Sequence, residues 1–122
     1  MMDIPARVRI GKGLRIEHIG NIVINPNVII GENVTLLNGV LIGSQSRGAR
    51  EGTPTIGNSV WIGTNAVVVG KINIGNNVLI APGAFVNFDV PDNTIVLGNP
   101  GKIIPKSDAT KGYIINSIYE NE

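Results

Sequence analysis

The sequence predicts an all-β chain, a parallel β-helix wound as a hexapeptide-repeat solenoid of about four coils. Three observations predict it: an apolar column with a six-residue period, a second column two places before it, and tetrads rich in Gly and Asn between the rungs. The main column runs Ile10, Ile16, Ile24, Ile30, Leu36, Ile42, Ile56, Ile62, Val68, Ile74, Ile80 and Val86. Its companion is Val8, Leu14, Ile22, Val28, Val34, Val40, Pro54, Val60, Ala66, Ile72, Val78 and Ala84. Residues i−2 and i of an extended strand face the same way, so a period of six reads as short strand, turn, short strand, with both columns inward. Three rungs close a coil of about 18 residues, stacked at about 4.8 Å on the next. Each coil buries its aliphatic residues only against its neighbours, at about 25 cal/mol per Å² of apolar surface. A helix is disfavoured, because Gly at this density costs about 1 kcal/mol per site against Ala.

In chain order, the first rungs lie at 8–10 and 14–16. The step from Ile16 to Ile24 is then eight, which inserts two residues within 17–21, where His18 stands. Four regular rungs follow to Ile42. The next step is fourteen, and its polar content, GSQSRGAREGT, predicts a loop thrown out of the coil over 43–55. Insertions in solenoids gather on the functional face. Regular rungs resume to Val86, beyond which the period fades; Thr94–Leu97 and Lys102–Ile104 are expected to be extended. The tetrads Ile10-Gly11-Lys12-Gly13, Ile30-Gly31-Glu32-Asn33, Ile56-Gly57-Asn58-Ser59 and Ile74-Gly75-Asn76-Asn77 are read as corners with positive φ. Trp61 is expected to point outward, in a subunit contact. The organisation expected is a β-helix over 1–104 and a tail over 105–122, whose apolar residues 114, 115 and 118 predict a short amphipathic helix.

Composition narrows the function classes. A net charge of +1 gives no electrostatic case for nucleic acid, and there is no Cys for a disulfide or thiolate metal site. No apolar run approaches the roughly 20 residues of a membrane span. The start, MMDIPARVR, lacks a signal-peptide apolar core, so the cytoplasm is the expected compartment. A zinc hydratase on such a coil needs three imidazoles, and the chain has one His; no metal is expected. An ice-binding coil needs a flat array of outward Thr, whereas the outward positions here mix Asn, Lys and Gly.

The hexapeptide rungs, the stretch DIPARVRIGKGLRIEHIGNIVI, the polar loop and the closing GNPGKII resemble the hexapeptide-repeat acyltransferases, and within them the serine acetyltransferase family. The resemblance covers about residues 3–104. It implies a left-handed β-helix, a homotrimer with active sites between subunits, acetyl-CoA as acyl donor, and a His acting as general base on an acceptor hydroxyl. By position, His18 matches that base, Asp3 the carboxylate that orients it, and Glu17 an acidic residue facing the acceptor. Gly43, Ser44, Gly63, Thr64 and Ala81 match regions that hold the pantetheine arm, and Lys102 or Lys106 lies near the nucleotide end.

Two departures stand out. Where the family closes its loop with Arg-His-Pro, this chain has Gly52-Thr53-Pro54, which places Thr53 at the acceptor and leaves Arg47 or Arg50 to supply a charge. The family's helical N-terminal domain is also expected to be missing, since the rungs begin by residue 8. The acceptor implied by the resemblance is serine, and the departures bring in the alternative of a sugar or another small hydroxyl or amine compound. A non-catalytic trimeric homologue is the remaining alternative. Histidine exchanges protons near neutral pH, and base catalysis contributes about 10²–10⁴-fold, which is why a lone His in a break of the coil attracts the catalytic reading.

Overall fold

Each rung of the repeat forms a strand of two to four residues, and the strands wind into stacked parallel coils; the computed structural model describes residues 2–18 and 20–114. The first turn carries β1 (Met2–Asp3), β2 (Arg9–Ile10) and β3 (Arg15–Glu17). The second carries β4 (Ile22–Ile24), β5 (Ile29–Ile30) and β6 (Thr35–Leu37), and the third β7 (Leu41–Gly43), β8 (Thr55–Ile56) and β9 (Val60–Ile62). The fourth carries β10 (Val67–Val69), β11 (Asn73–Ile74) and β12 (Val78–Ile80). The last has β13 (Phe85–Val86), a single bridge at Val90 to Ile74, and β14 (Thr94–Leu97). β15 (Lys102–Pro105) then folds back antiparallel on β14. No helix is long and apolar enough to cross a membrane among the described residues.

The strands stack into three sheets, the faces of a triangular prism. The first face is β1-β4-β7-β10-β13, the second β2-β5-β8-β11, and the third β3-β6-β9-β12-β14-β15. Register follows the ruler and its breaks. Met2 lies beside Ile22 and Arg15 beside Thr35, so the first turn holds the two extra residues. Val23 lies beside Leu41 and Thr55 beside Asn73, the regular spacing, while Ile29 lies beside Thr55 across the loop. Val78 pairs with Thr94, two residues short of that spacing.

That shortening explains the fifth turn. The repeat was expected to end at Val86, but the coil continues after dropping two residues at one corner, which puts the apolar period out of phase. Val90 and Val96 complete the core inside it. With β1 ahead of the first rung read from sequence, the coil makes five turns rather than four.

Both apolar columns point inward as one core, from Val8 to Val96, with Ile10, Leu14 and Ile16 only partly covered at the first turn. The corners carry the expected positive φ, at one position of each tetrad. Positive φ falls on the fourth tetrad position, at Gly13, Asn33, Ser59 and Asn77, and again at Asn93. The second position is glycine for another reason. A Cβ on Gly31 would lie 2.6 Å from the Gly57 carbonyl oxygen, and one on Gly57 would lie 2.6 Å from that of Gly75. The coils approach too closely there for any side chain.

The outer side of the third face is covered by the chain itself. Leu37, Trp61, Leu79 and Ile114 form a second buried cluster, and the Trp61 and Tyr113 rings meet edge to face at 5.1 Å. Trp61 does leave the prism, as expected, but it packs under its own tail. Residues 106–114 run over this face as a series of turns; residues 115 and 118 of the expected tail helix lie outside the described residues.

Candidate active site at two corners of the coil

The candidate residues collect at two of the three corners. The corner between the third face and the first begins with His18, at the end of β3. The residue is exposed and has φ of 64°, because the two inserted residues force the chain to reverse before β4. Glu17 beside it is half-buried and accepts an ion pair from Arg15 Nε at 3.3 Å. In register, Glu17 lies beside Leu37, and the same column continues through Gly63 and Ala81 to Leu97, whose antiparallel partner is Lys102. Thr64 is one place further along, and its Oγ1 donates to Asn38 Oδ1 at 3.1 Å.

The small residues at this corner have separable causes. A Cβ on Gly63 would lie 2.6 Å from the Pro82 nitrogen, so packing between coils already demands that glycine. Gly83 has φ of 74° and open space where a Cβ would point. Gly98 is similarly open, with φ of 83° and its first neighbour, the Pro100 carbonyl oxygen, at 3.6 Å. These two glycines leave bare backbone at the surface and fit close approach of a ligand arm. Gly98 stands in the closing GNPGKII motif, whereas Gly83 was not among the sequence candidates, although Ala81-Pro82-Gly83-Ala84 carries the signal of a corner without side chains.

The second corner joins the first face to the second. Asp3 is exposed on β1, beside Val23, and lines a groove of about 360 Å³ together with Gly43 and Ser44. The loop leaves the coil here. It is stapled at its neck by two backbone hydrogen bonds of 2.9 Å between Gln45 and Gly52. Thr53 Oγ1 donates to the Asn27 carbonyl at 3.3 Å. Arg50 is engaged within the chain: its Nη1 pairs with Asp89 Oδ1 at 3.2 Å. A hydrogen bond from the Asn73 backbone N–H, together with Arg50, holds the Asp89 carboxyl below the usual carboxylate range.

Within one chain the structure therefore does not bring His18 and Asp3 together. Neither side chain forms an ion pair or a hydrogen bond among the described residues. The first face lies between their corners, and its outward column is Asp3, Val23, Leu41, Val67 and Phe85. Val23 is 41% exposed and Leu41 37% exposed, an apolar strip with no cover from the chain itself. A cavity of about 500 Å³ opens at the covered third face, lined by Ala81, Pro82, Lys106 and Lys111 among others. Lys106 Nζ is paired with Asp108 Oδ1 at 3.1 Å, and this ion pair holds the Asp108 carboxyl low.

Comparison with known proteins agrees with this architecture. Residues 53–87 match the family described as bacterial transferase hexapeptide (six repeats). Serine acetyltransferase 4 of Arabidopsis thaliana is 36% identical over 103 residues, 84% of this chain and 29% of that protein. The serine acetyltransferase of Synechococcus elongatus is 36% identical over 106 residues, 87% of this chain and 43% of that protein. Among solved structures, the Neisseria gonorrhoeae serine acetyltransferase superposes with a TM-score of 0.78 at 36% identity, covering 85% of this chain and 42% of that one. A Brucella abortus serine acetyltransferase solved in complex with coenzyme A gives 0.77 at 33% identity, covering 83% and 40%. The chain thus spans less than half the length of these relatives. It belongs to the hexapeptide-repeat transferases, and the relatives that match most of its length are serine acetyltransferases.

Proposed function

We propose that this chain is an acetyl-CoA-dependent O-acetyltransferase that works as a homotrimer, with each site shared between two copies. The observation that carries this reading is the division of the candidate residues over two corners that flank an uncovered apolar face. Closing three copies on that face, each contact joining one copy's third-to-first corner to its neighbour's first-to-second corner, buries Val23 and Leu41. It also sets His18 of one copy against the Asp3 groove of the next.

In that arrangement His18 takes the proton from the acceptor hydroxyl as its oxygen attacks the thioester carbonyl carbon. The carbon–sulfur bond breaks, and the imidazolium returns the proton to the departing CoA sulfur. Asp3 of the adjacent copy orients the ring and stabilises its cation. The bare backbone at Gly83 and Gly98, on the same edge as His18, suits the pantetheine arm. Support for acetyl-CoA comes from the Brucella relative that holds coenzyme A.

Serine is the acceptor named by the relatives. The test incubates the protein with acetyl-CoA and follows CoA release with serine against sugars and amines. Release with serine no faster than with water removes serine, and failure to bind CoA at millimolar concentration favours a non-catalytic homologue.

A further inference from the structure

The first-to-second corner holds another groove, which the acetyl-transfer reading leaves unused. It has a volume of about 370 Å³, and its lining includes Arg7, Arg9, Pro26, Asn27 and Ile29. We infer that Arg7 and Arg9 form an oxyanion-recognition site, so that the acceptor is a small hydroxyl compound carrying a carboxylate or a phosphate monoester. The inference rests on the acetyl-transfer reading for the identity of the acceptor, but the oxyanion site itself does not.

Arg9, on β2, and Arg7, in the turn just before it, flank the inward Val8, which is 9% exposed, and both line this one groove. Neither guanidinium has an ion-pair or hydrogen-bond partner among the described residues, whereas Arg15, Arg50 and Lys106 are each paired with a carboxylate. Two unneutralised cations repel each other; an oxyanion between them replaces that repulsion with two attractions. Guanidinium forks match two oxygens of a carboxylate or phosphate at once, which a lysine pair does not.

The surroundings fit a small organic anion. Arg9 lies beside Ile29, which lies beside Thr55, so Arg7, Asn27 and Thr53 stack two residues earlier along the same rungs. Ile29 is 39% exposed and gives the groove an apolar floor, with Asn27 beside it for hydrogen bonding. The loop residues that stack on this rung, Gly52 and Thr53, are uncharged, and Arg50 is held by Asp89. Pro26 walls both this groove and the one containing Asp3 and Ser44. A molecule with its anion on the two arginines therefore reaches over Pro26 with its hydroxyl toward Asp3, where the neighbouring copy's His18 is proposed to arrive.

The experiment titrates the full chain by calorimetry with two matched pairs, L-serine against its amide and glycerol 3-phosphate against glycerol. The same titrations are run on the R7Q/R9Q variant. The expected result is a preference of about tenfold for the anionic member of at least one pair, which falls to parity in the variant. R7K/R9K keeps the charge without the fork and retains only part of it. Which pair shows the preference distinguishes carboxylates from phosphate monoesters. Equal affinity for both members of both pairs, or a preference that survives R7Q/R9Q, overturns the inference. Both arginines are exposed and unpaired, so the variant keeps the wild-type circular dichroism. Titration with CoA is read separately: a chain that binds the anion but not CoA overturns acetyl transfer and leaves the oxyanion site standing.

Discussion

His18 shows how much a single residue can say. Its type and its place in a break of the ruler make it the candidate base, and the structure adds a left-handed backbone at the corner. His18→Ala is expected to lower the rate of CoA release by 10² or more, about the contribution of a general base, with an unchanged melting temperature, because the side chain is exposed. A decrease below threefold ends the base assignment. Asn77 makes a complementary case, a corner residue whose importance is structural. Its φ is 56°, its Oδ1 accepts from Thr110 Oγ1 at 2.6 Å, and its Nδ2 donates to Asn93 Oδ1 and the Ser107 carbonyl. Asn77→Ala should cost about 2–3 kcal/mol by chemical denaturation, from the lost hydrogen bonds and the strained backbone. Asn77→Gly relieves the strain alone and should recover roughly 1 kcal/mol of it. From sequence Asn77 was legible only as a turn former; its grip on a tail thirty-three residues away was not.

At the scale of elements, corners and loop follow different physics from the rungs. The rungs obey alternation and were readable residue by residue. Glycine was read correctly as a corner residue but for the wrong reason at Gly31 and Gly57, where contact with the next coil decides. Gly57→Ala should therefore destabilise by about 1–3 kcal/mol, the usual cost of overpacking, although its φ is ordinary. Thermal melts of G57A beside the wild type check this; an unchanged melting temperature would show that the coils can separate at that corner. The loop is anchored by Arg50 and Asp89. The Asp89 carboxyl is held low in the fold, so its stabilisation is present above the ordinary Asp value and is lost as pH falls through the lowered one. Wild type and Asp89→Asn should thus differ in urea stability by a constant amount above about pH 5, with the difference shrinking below the ordinary Asp value of about 3.9 and vanishing only below the lowered one. A difference that persists unchanged at the acid end would show that the anchor does not depend on the carboxylate charge.

For the whole molecule, the proposed shared site would make assembly and activity inseparable. Leu41→Asp puts a charge in the middle of the apolar strip and is expected to yield monomers by sedimentation, with the β-helix spectrum retained and turnover lost. Trimers that persist in L41D show that another face associates. Mixing gives a sharper test. Chains carrying His18→Ala and chains carrying Asp3→Ala are each inactive, and random mixed trimers should regain about a quarter of wild-type activity if each site takes one residue from each of two neighbours. No recovery after mixing would place both residues of a site in one chain.

The coil, the inward columns, the position of the loop and the candidacy of His18 are legible in the sequence because all of these repeat or break a local period, whereas Asp3 entered as a candidate only through the family resemblance. Tertiary structure alone decided the rest. It continued the coil past Val86, where two missing residues hide the period; it laid residues 106–114 over Trp61; it bound Arg50 to Asp89 and left Arg7 and Arg9 without a partner. It also placed Asp3 and His18 at opposite corners of one face. The physical reason is common to all four. A period in sequence reports which way a side chain points from its own strand, but which residues meet across turns depends on how many residues each coil contains, and that count is fixed only when the coils stack.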